Sequence, residues 1–148
     1  MTIHQSGLRL PIAQAFSQLL LHALYNSVIN SAINSAIDLT TVRAVTLNFR
    51  DPLYSAETGG FHPVEIRLLR RHEQWQFDYM TDFSFMGSYY PELEKELDIC
   101  WSQGYVYHFM MGDIDEEEGG AMFELWQRNF IQYHKMKCYE VSIQWETH

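Results

Sequence analysis

Residues 64–83 read VEIRLLRRHEQWQFDYMTDF, and that line contains two strands and the turn between them. Val64, Ile66 and Leu68 alternate with Glu65, Arg67 and Leu69, while Trp75, Phe77, Tyr79 and Phe83 alternate with Gln76, Asp78, Met80 and Asp82. A period of two sends successive side chains to opposite faces of an extended chain, so each run has one apolar face. Both apolar faces must reach the same core, which requires a connection of even length. A turn centred on His72 and Glu73 meets the requirement. It predicts Leu68 opposite Phe77, Ile66 opposite Tyr79, and Arg67 opposite Asp78 as an ion pair on the outer face.

The same alternation extends in both directions. RAVTLNF at 43–49 sets Val45, Leu47 and Phe49 against Ala44, Thr46 and Asn48. LEKELDICW at 93–101, YVYHFMM at 105–111 and YEVSIQWE at 139–146 are further strands, although the Pro91-Glu-Leu-Glu-Lys opening of the first could also begin a helical turn. Helical spacing appears at the two ends of this block. Pro11 suits the first turn of a helix carrying Ile12, Phe16, Leu19, Leu20, Ala23 and Leu24 inward. Its continuation, NSVINSAINSAI, repeats Ile29, Ile33 and Ile37 every four residues, a stripe that drifts by about 40 degrees per repeat on a helix of 3.6 residues per turn. Phe123, Trp126, Phe130 and Tyr133 mark a second helix, whose start suits the acidic run Asp113, Asp115, Glu116, Glu117 and Glu118.

The order is therefore helix, about five strands, helix, strand. Parallel crossovers would need helices alternating with strands, so the grouping predicts an α+β fold: a twisted antiparallel sheet with the N-terminal and C-terminal helices on one face and a closing C-terminal strand. A chain of 148 residues fits a single domain, 1–148, able to bury roughly two thirds of its unfolded surface. Its 47% hydrophobic and 15% aromatic content is far from that of a chain that cannot fold.

Ten basic against 19 acidic residues give a net charge of −9, which repels a phosphate backbone. The densest basic stretch, RLLRRH at 67–72, divides its charges between the two faces of a strand, so nucleic acid is not an expected partner. The apolar N-terminal segment is broken by Gln14, Ser17, Gln18 and His22, which argues against a membrane span or a cleaved leader. Cys100 and Cys138 lack metal-ligand spacing, and a cytoplasmic location with reduced thiols is expected.

The residues opposite the apolar sets are Asp78, Asp82, Glu94, Glu96, Asp98, Glu140 and Glu146, relieved mainly by Arg67 and Arg71. Solvation alone explains such a face, and an electrostatic platform for a basic protein partner is its functional reading. The acidic run at 113–118 lacks the central glycine and twelfth-position Glu of a calcium loop. His4, His22, His62, His72, His108, His134 and His148 show no ligand spacing in the chain, so no metal and no cofactor are expected. In FRDPLYSAETGGFHPVEIRL, residues 49–68, Asp51-Pro52 is turn chemistry, Gly59-Gly60 permits positive φ, and Pro63 holds His62 extended. Glu57, His62 and Glu65 are the acid–base groups this loop could offer to an enzyme or a ligand-binding protein, but no nucleophile accompanies them.

That stretch, with HPVEIRL following RDPLYSAETGG, resembles the bacterial domain of unknown function 2787 family, and EEEGGAMFELWQRNFIQYHKMKCYEV is similar to its closing helix and strand. The motif residues are Arg50, Asp51, Pro52, Gly59, Gly60, His62, Pro63 and Arg67. The resemblance covers most of the chain and implies a fold like that of the acidic mitochondrial matrix proteins that bind the globular heads of a complement component. It also implies relatives on bacterial pathogenicity islands, binding of host proteins or complement, and, from the trimeric rings of the matrix proteins, a homo-oligomer. The leading expectation is a noncatalytic interaction module using an acidic sheet face, and the alternative is a small enzyme or ligand-binding protein using the Glu57, His62 and Glu65 loop.

Overall fold

A computed structural model describes the backbone over residues 3–34 and 38–148, and the side chains over 3–28 and 38–148. In chain order the elements are β1 (Ile3–His4), α1 (Gln14–Asn34), β2 (Val42–Arg50), β3 (Val64–Arg71), β4 (Gln74–Met86), β5 (Glu92–Cys100), β6 (Tyr105–His108), β7 (Gly112–Ile114), α2 (Glu116–Lys135) and β8 (Glu140–Thr147). The sheet runs β7-β6-β5-β4-β3-β2-β8 with every neighbouring pair antiparallel, and β1 lies parallel to β4. This is the expected α+β architecture, closed at one edge by β8. The strand expected over 105–111 ends at His108, and Phe109, Met110 and Met111 turn the chain into β7.

The β3–β4 hairpin turns where the alternation requires. His72 and Glu73 have φ of 51° and 64°, the left-handed pair that a two-residue hairpin matching the strand twist demands. Leu68 pairs with Phe77 as expected, but the register then shifts. Asp78 is an extra residue, so Arg67 lies opposite Tyr79 and Ile66 opposite Met80, rather than opposite Asp78 and Tyr79. A bulge turns the alternation over. Met80, expected outside, is fully buried in the core, and the Tyr79 hydroxyl reaches Glu65 on the open side. The Arg67–Asp78 ion pair forms nonetheless, because the bulged Asp78 stays beside Arg67. A second shift makes Glu96 the extra residue of β5, with Asp82 opposite Leu97 but Phe83 opposite Lys95.

Both helices cover the face built from Val45, Leu47, Phe49, Ile66, Leu68, Phe77, Met80 and Ile99. Phe16 of α1 is the centre, stacked on Phe77 at 6.1 Å and meeting Phe123, Trp126 and Phe130 of α2 edge-on. Such a cluster adds aromatic geometry to its burial. Helix α1 starts three residues later than its Pro11 implies. Gln127, 1% exposed, accepts from the Ala13 N–H and donates to the Pro11 carbonyl, holding 11–13 as a lead-in. Helix α2 begins as the acidic run predicts, with Asp115 accepting from the Glu118 N–H. A Cβ on Gly119 would stand 2.9 Å from the Val106 side chain, so glycine lets this first turn close onto β6. The Ile29, Ile33 and Ile37 stripe lies outside the described side chains. Among the described residues no helix is long and apolar enough to cross a membrane, and both cysteines are free.

Candidate functional site

The loop between β2 and β3 is organised by its own turn residues. Asp51 accepts from the Leu53 N–H with Oδ1 at 2.9 Å and from the Phe61 N–H with Oδ2 at 3.0 Å, tying the two ends of the loop together. Ser55 and Gly59 exchange backbone hydrogen bonds in between. Gly60 has φ of 132°, and a Cβ there would lie 2.7 Å from Asp51 Oδ2, so only glycine fits. The Pro63 carbonyl accepts from Phe83, which docks the loop's exit on β4.

That docking brings His62 to the helix-covered side of the sheet. Its Nδ1 lies 2.9 Å from Asp82 Oδ1 and 2.8 Å from Glu96 Oε2. Asp82 is turned to this side by the bulge at Asp78, and its other oxygen accepts from the Trp126 indole N–H of α2 at 2.8 Å. The hydrogen bond to Asp82 raises the His62 pKa, burial opposes it, and the Asp82 and Glu96 charges add to the rise. A cleft of about 270 Å³ adjoins the cluster, with Phe61, Tyr133 and Tyr139 among its walls.

The expected Glu57, His62 and Glu65 set does not assemble. Glu57 is exposed at the loop tip, and Glu65 accepts from the Tyr79 hydroxyl on the open side of the sheet, while His62 points to the helix side. Asp82, Glu96 and Trp126 were not grouped with His62 by the alternation, because it treats a strand as unbroken. The one signal in the chain was polar Asp82 beside a strongly apolar run.

The open face also departs from expectation. Asp82 and Glu96 have left it, and the bulge at Glu96 turns Glu94 away from it as well. Asp78 and Asp98 remain there but are only 8% and 4% exposed. Arg67 forks onto Glu146 through Nε and Nη2, each at 2.9 Å, and reaches Asp78 through Nη1. Ser102 also donates to Asp78. The fork from Arg67 depresses the Glu146 pKa. Asp98 accepts from Thr81 at 2.7 Å and from the Tyr105 hydroxyl at 2.6 Å, with Lys95 3.6 Å away. These carboxylates are spent within the fold, leaving Glu94 and Glu140 as the exposed members of the expected set. Arg50 is exposed opposite Glu140, and Arg70 lies over the Trp75 ring.

Exposure is concentrated elsewhere. Antiparallel pairing places the β2–β3 loop, the β4–β5 turn and the β6–β7 turn at one end of the sheet. Tyr89 and Tyr90 are 90% and 87% exposed and Met110 77%, joined by Leu53, Leu93, Phe109 and Met111. Glu57, Glu92 and Glu94 are exposed among them.

Two solved structures are similar over nearly the whole chain. A hypothetical protein from the VSP-II pathogenicity island of Vibrio cholerae is 34% identical with a TM-score of 0.78, covering 99% of each chain. A conserved hypothetical protein from the Vibrio cholerae island VPI-2, described as sharing structural homology with the human P32 protein, is 31% identical with a TM-score of 0.77, covering 96% of this chain and 99% of that one. No curated protein matches the chain. The model of the protein of unknown function family DUF2787 matches residues 19–144, and the chain belongs to that family.

Proposed function

We propose that this protein is a noncatalytic interaction module that binds a basic protein partner at the loop end of its sheet. The observation that carries the reading is the pair Tyr89 and Tyr90, nearly fully exposed at the end of the sheet that also exposes Met110 and Leu93. Large apolar side chains exposed at one end of a sheet offer surface for an interaction site, and Tyr, Phe and Met are residues that interfaces favour. Glu57, Glu92 and Glu94 around it, on a chain of net charge −9, favour a basic partner and speed its encounter. The open sheet face is a weaker candidate, since Arg67, Lys95, Tyr105 and Thr81 already engage its carboxylates. Host proteins, complement included, are the partner class that the fold resemblance adds.

The test is capture of partners from lysate at low and moderate salt, with wild type compared against Tyr89→Ser/Tyr90→Ser/Met110→Ser and against the open-face variant Glu140→Gln/Gln144→Ala. The reading predicts a partner lost from the triple variant and weakened by salt. A partner retained by the triple variant but lost from an open-face variant would place the interface on the sheet instead. A second copy of this chain as the captured species would make the surface one of self-association.

A further inference from the structure

The His62 cluster is independent of that interface reading and points to a different chemistry. We propose that His62 Nδ1, Asp82 Oδ1 and Glu96 Oε2 form a site for one divalent transition-metal ion of the zinc type. These three atoms lie within 4.8 Å of one another. Two carboxylates converge on one ring nitrogen, which carries at most one proton. The hydrogen bond from that nitrogen runs to Asp82. Glu96 nevertheless approaches to 2.8 Å, and no other group is bonded to that oxygen among the described residues. Bringing two carboxylates together is unfavourable unless a cation lies between them. A metal ion in the place of the shared proton satisfies all three ligand atoms at once.

The donor set selects the ion. One imidazole with two carboxylates suits zinc, which takes such ligands at about 2.0–2.2 Å and commonly uses three protein groups with a fourth position open. Calcium and magnesium favour all-oxygen shells. The surroundings have the features of a held site. Trp126 fixes Asp82 through Oδ2, leaving Oδ1 for the ion, and such outer partners orient ligands. Asp82 has only 11% of its side chain exposed, whereas His62 and Glu96 are 34% and 27% exposed, so the site is anchored on its inner side and reachable from outside. The adjoining cleft by Phe61, Asn129 and Tyr133 leaves room for a water or a ligand oxygen on the open position. Both bulges serve this arrangement: without them Asp82 and Glu96 would face the open side of the sheet.

The experiment is calorimetric titration of Zn²⁺ into chelator-treated protein, with Co²⁺ absorption as a second readout. One ion per chain is expected, with a visible Co²⁺ band. Trp126→Phe, which removes the outer donor and trims the ring packed on Phe16 and Phe130, should weaken binding by about 10–100-fold, and His62→Gln or Glu96→Gln by at least as much. Glu96 is partly exposed, so Glu96→Gln should keep the wild-type urea transition and separate ligand loss from misfolding. Absence of saturable binding in the wild type overturns the proposal. So does binding left unchanged in both Glu96→Gln and His62→Gln, which would assign the ion to other groups.

Discussion

Replacing Arg67 with methionine tests whether the open face is held together by its own charges. Arg67 sits on β3 between β4 and β2, and binds Asp78 of β4 on one side and, reaching across β2, Glu146 of β8 on the other. Glu146 has a third of its side chain exposed and would recover water, so losing its fork costs on the order of 1 kcal/mol. Asp78 is different. Only 12% of its side chain is exposed, and it would keep the Ser102 hydroxyl but no counter-charge. Removing one partner of a fully buried pair costs about 3–5 kcal/mol, and the partial exposure of Arg67, with Ser102 still in place, puts this site below that range. The expected total is about 2–3 kcal/mol, or ~5–10 °C in Tm for a chain of this length. Urea denaturation should show a lower midpoint at constant slope. Arg67→Met/Asp78→Asn should recover a large part of the loss, since no unpaired charge remains. A single-variant loss below about 0.5 kcal/mol, the range of exposed pairs, would refute the argument. So would a double variant that merely adds the two single effects.

The same pair predicts a pH dependence. The folded-state pKa of Glu146 is depressed by Arg67, so its contribution is complete above the ordinary glutamate range and is lost as pH falls through the depressed value. The difference between wild type and Arg67→Met in urea midpoint should therefore shrink between about pH 7 and pH 3. Gly60→Ala forces a Cβ against Asp51 at a positive φ and should cost about 1–3 kcal/mol, read as a lower Tm with faster hydrogen exchange at Phe61. Gln127→Leu leaves the Ala13 N–H without its acceptor and should cost about 1–3 kcal/mol, with exchange quickened at the start of α1 rather than in α2.

Much of this architecture is legible in the chain because its strands obey one rule over most of their length. The alternation at 44–49 and 139–146 held through the edge pairing of β2 with β8, and the even-length argument found the His72–Glu73 turn. The helices followed from Phe16 and Leu20, and from Phe123 and Phe130, which recur at the helical period and are buried. What failed was parity. A single inserted residue at Asp78 reversed the faces of Tyr79, Met80, Asp82 and Phe83, and another at Glu96 moved that carboxylate off the open side. Nothing local announces a bulge, because it is set by how two strands accommodate each other. The His62 cluster was hidden for the same reason. Its members come from a loop, β4 and β5, and converge only after both bulges have formed. The β2–β3 loop, by contrast, is local chemistry, and Asp51, Gly59 and Gly60 do there what their types dictate.

The most direct test of the interaction surface is site-specific photo-crosslinking in lysate, with a photoreactive residue placed at Tyr90 or Met110 and, separately, at Leu69 or Gln144 on the open sheet face. The account predicts salt-sensitive adducts with the same partner from Tyr90 and Met110 and none from Leu69 or Gln144. Adducts confined to Leu69 and Gln144 would contradict it and return the interface to the sheet.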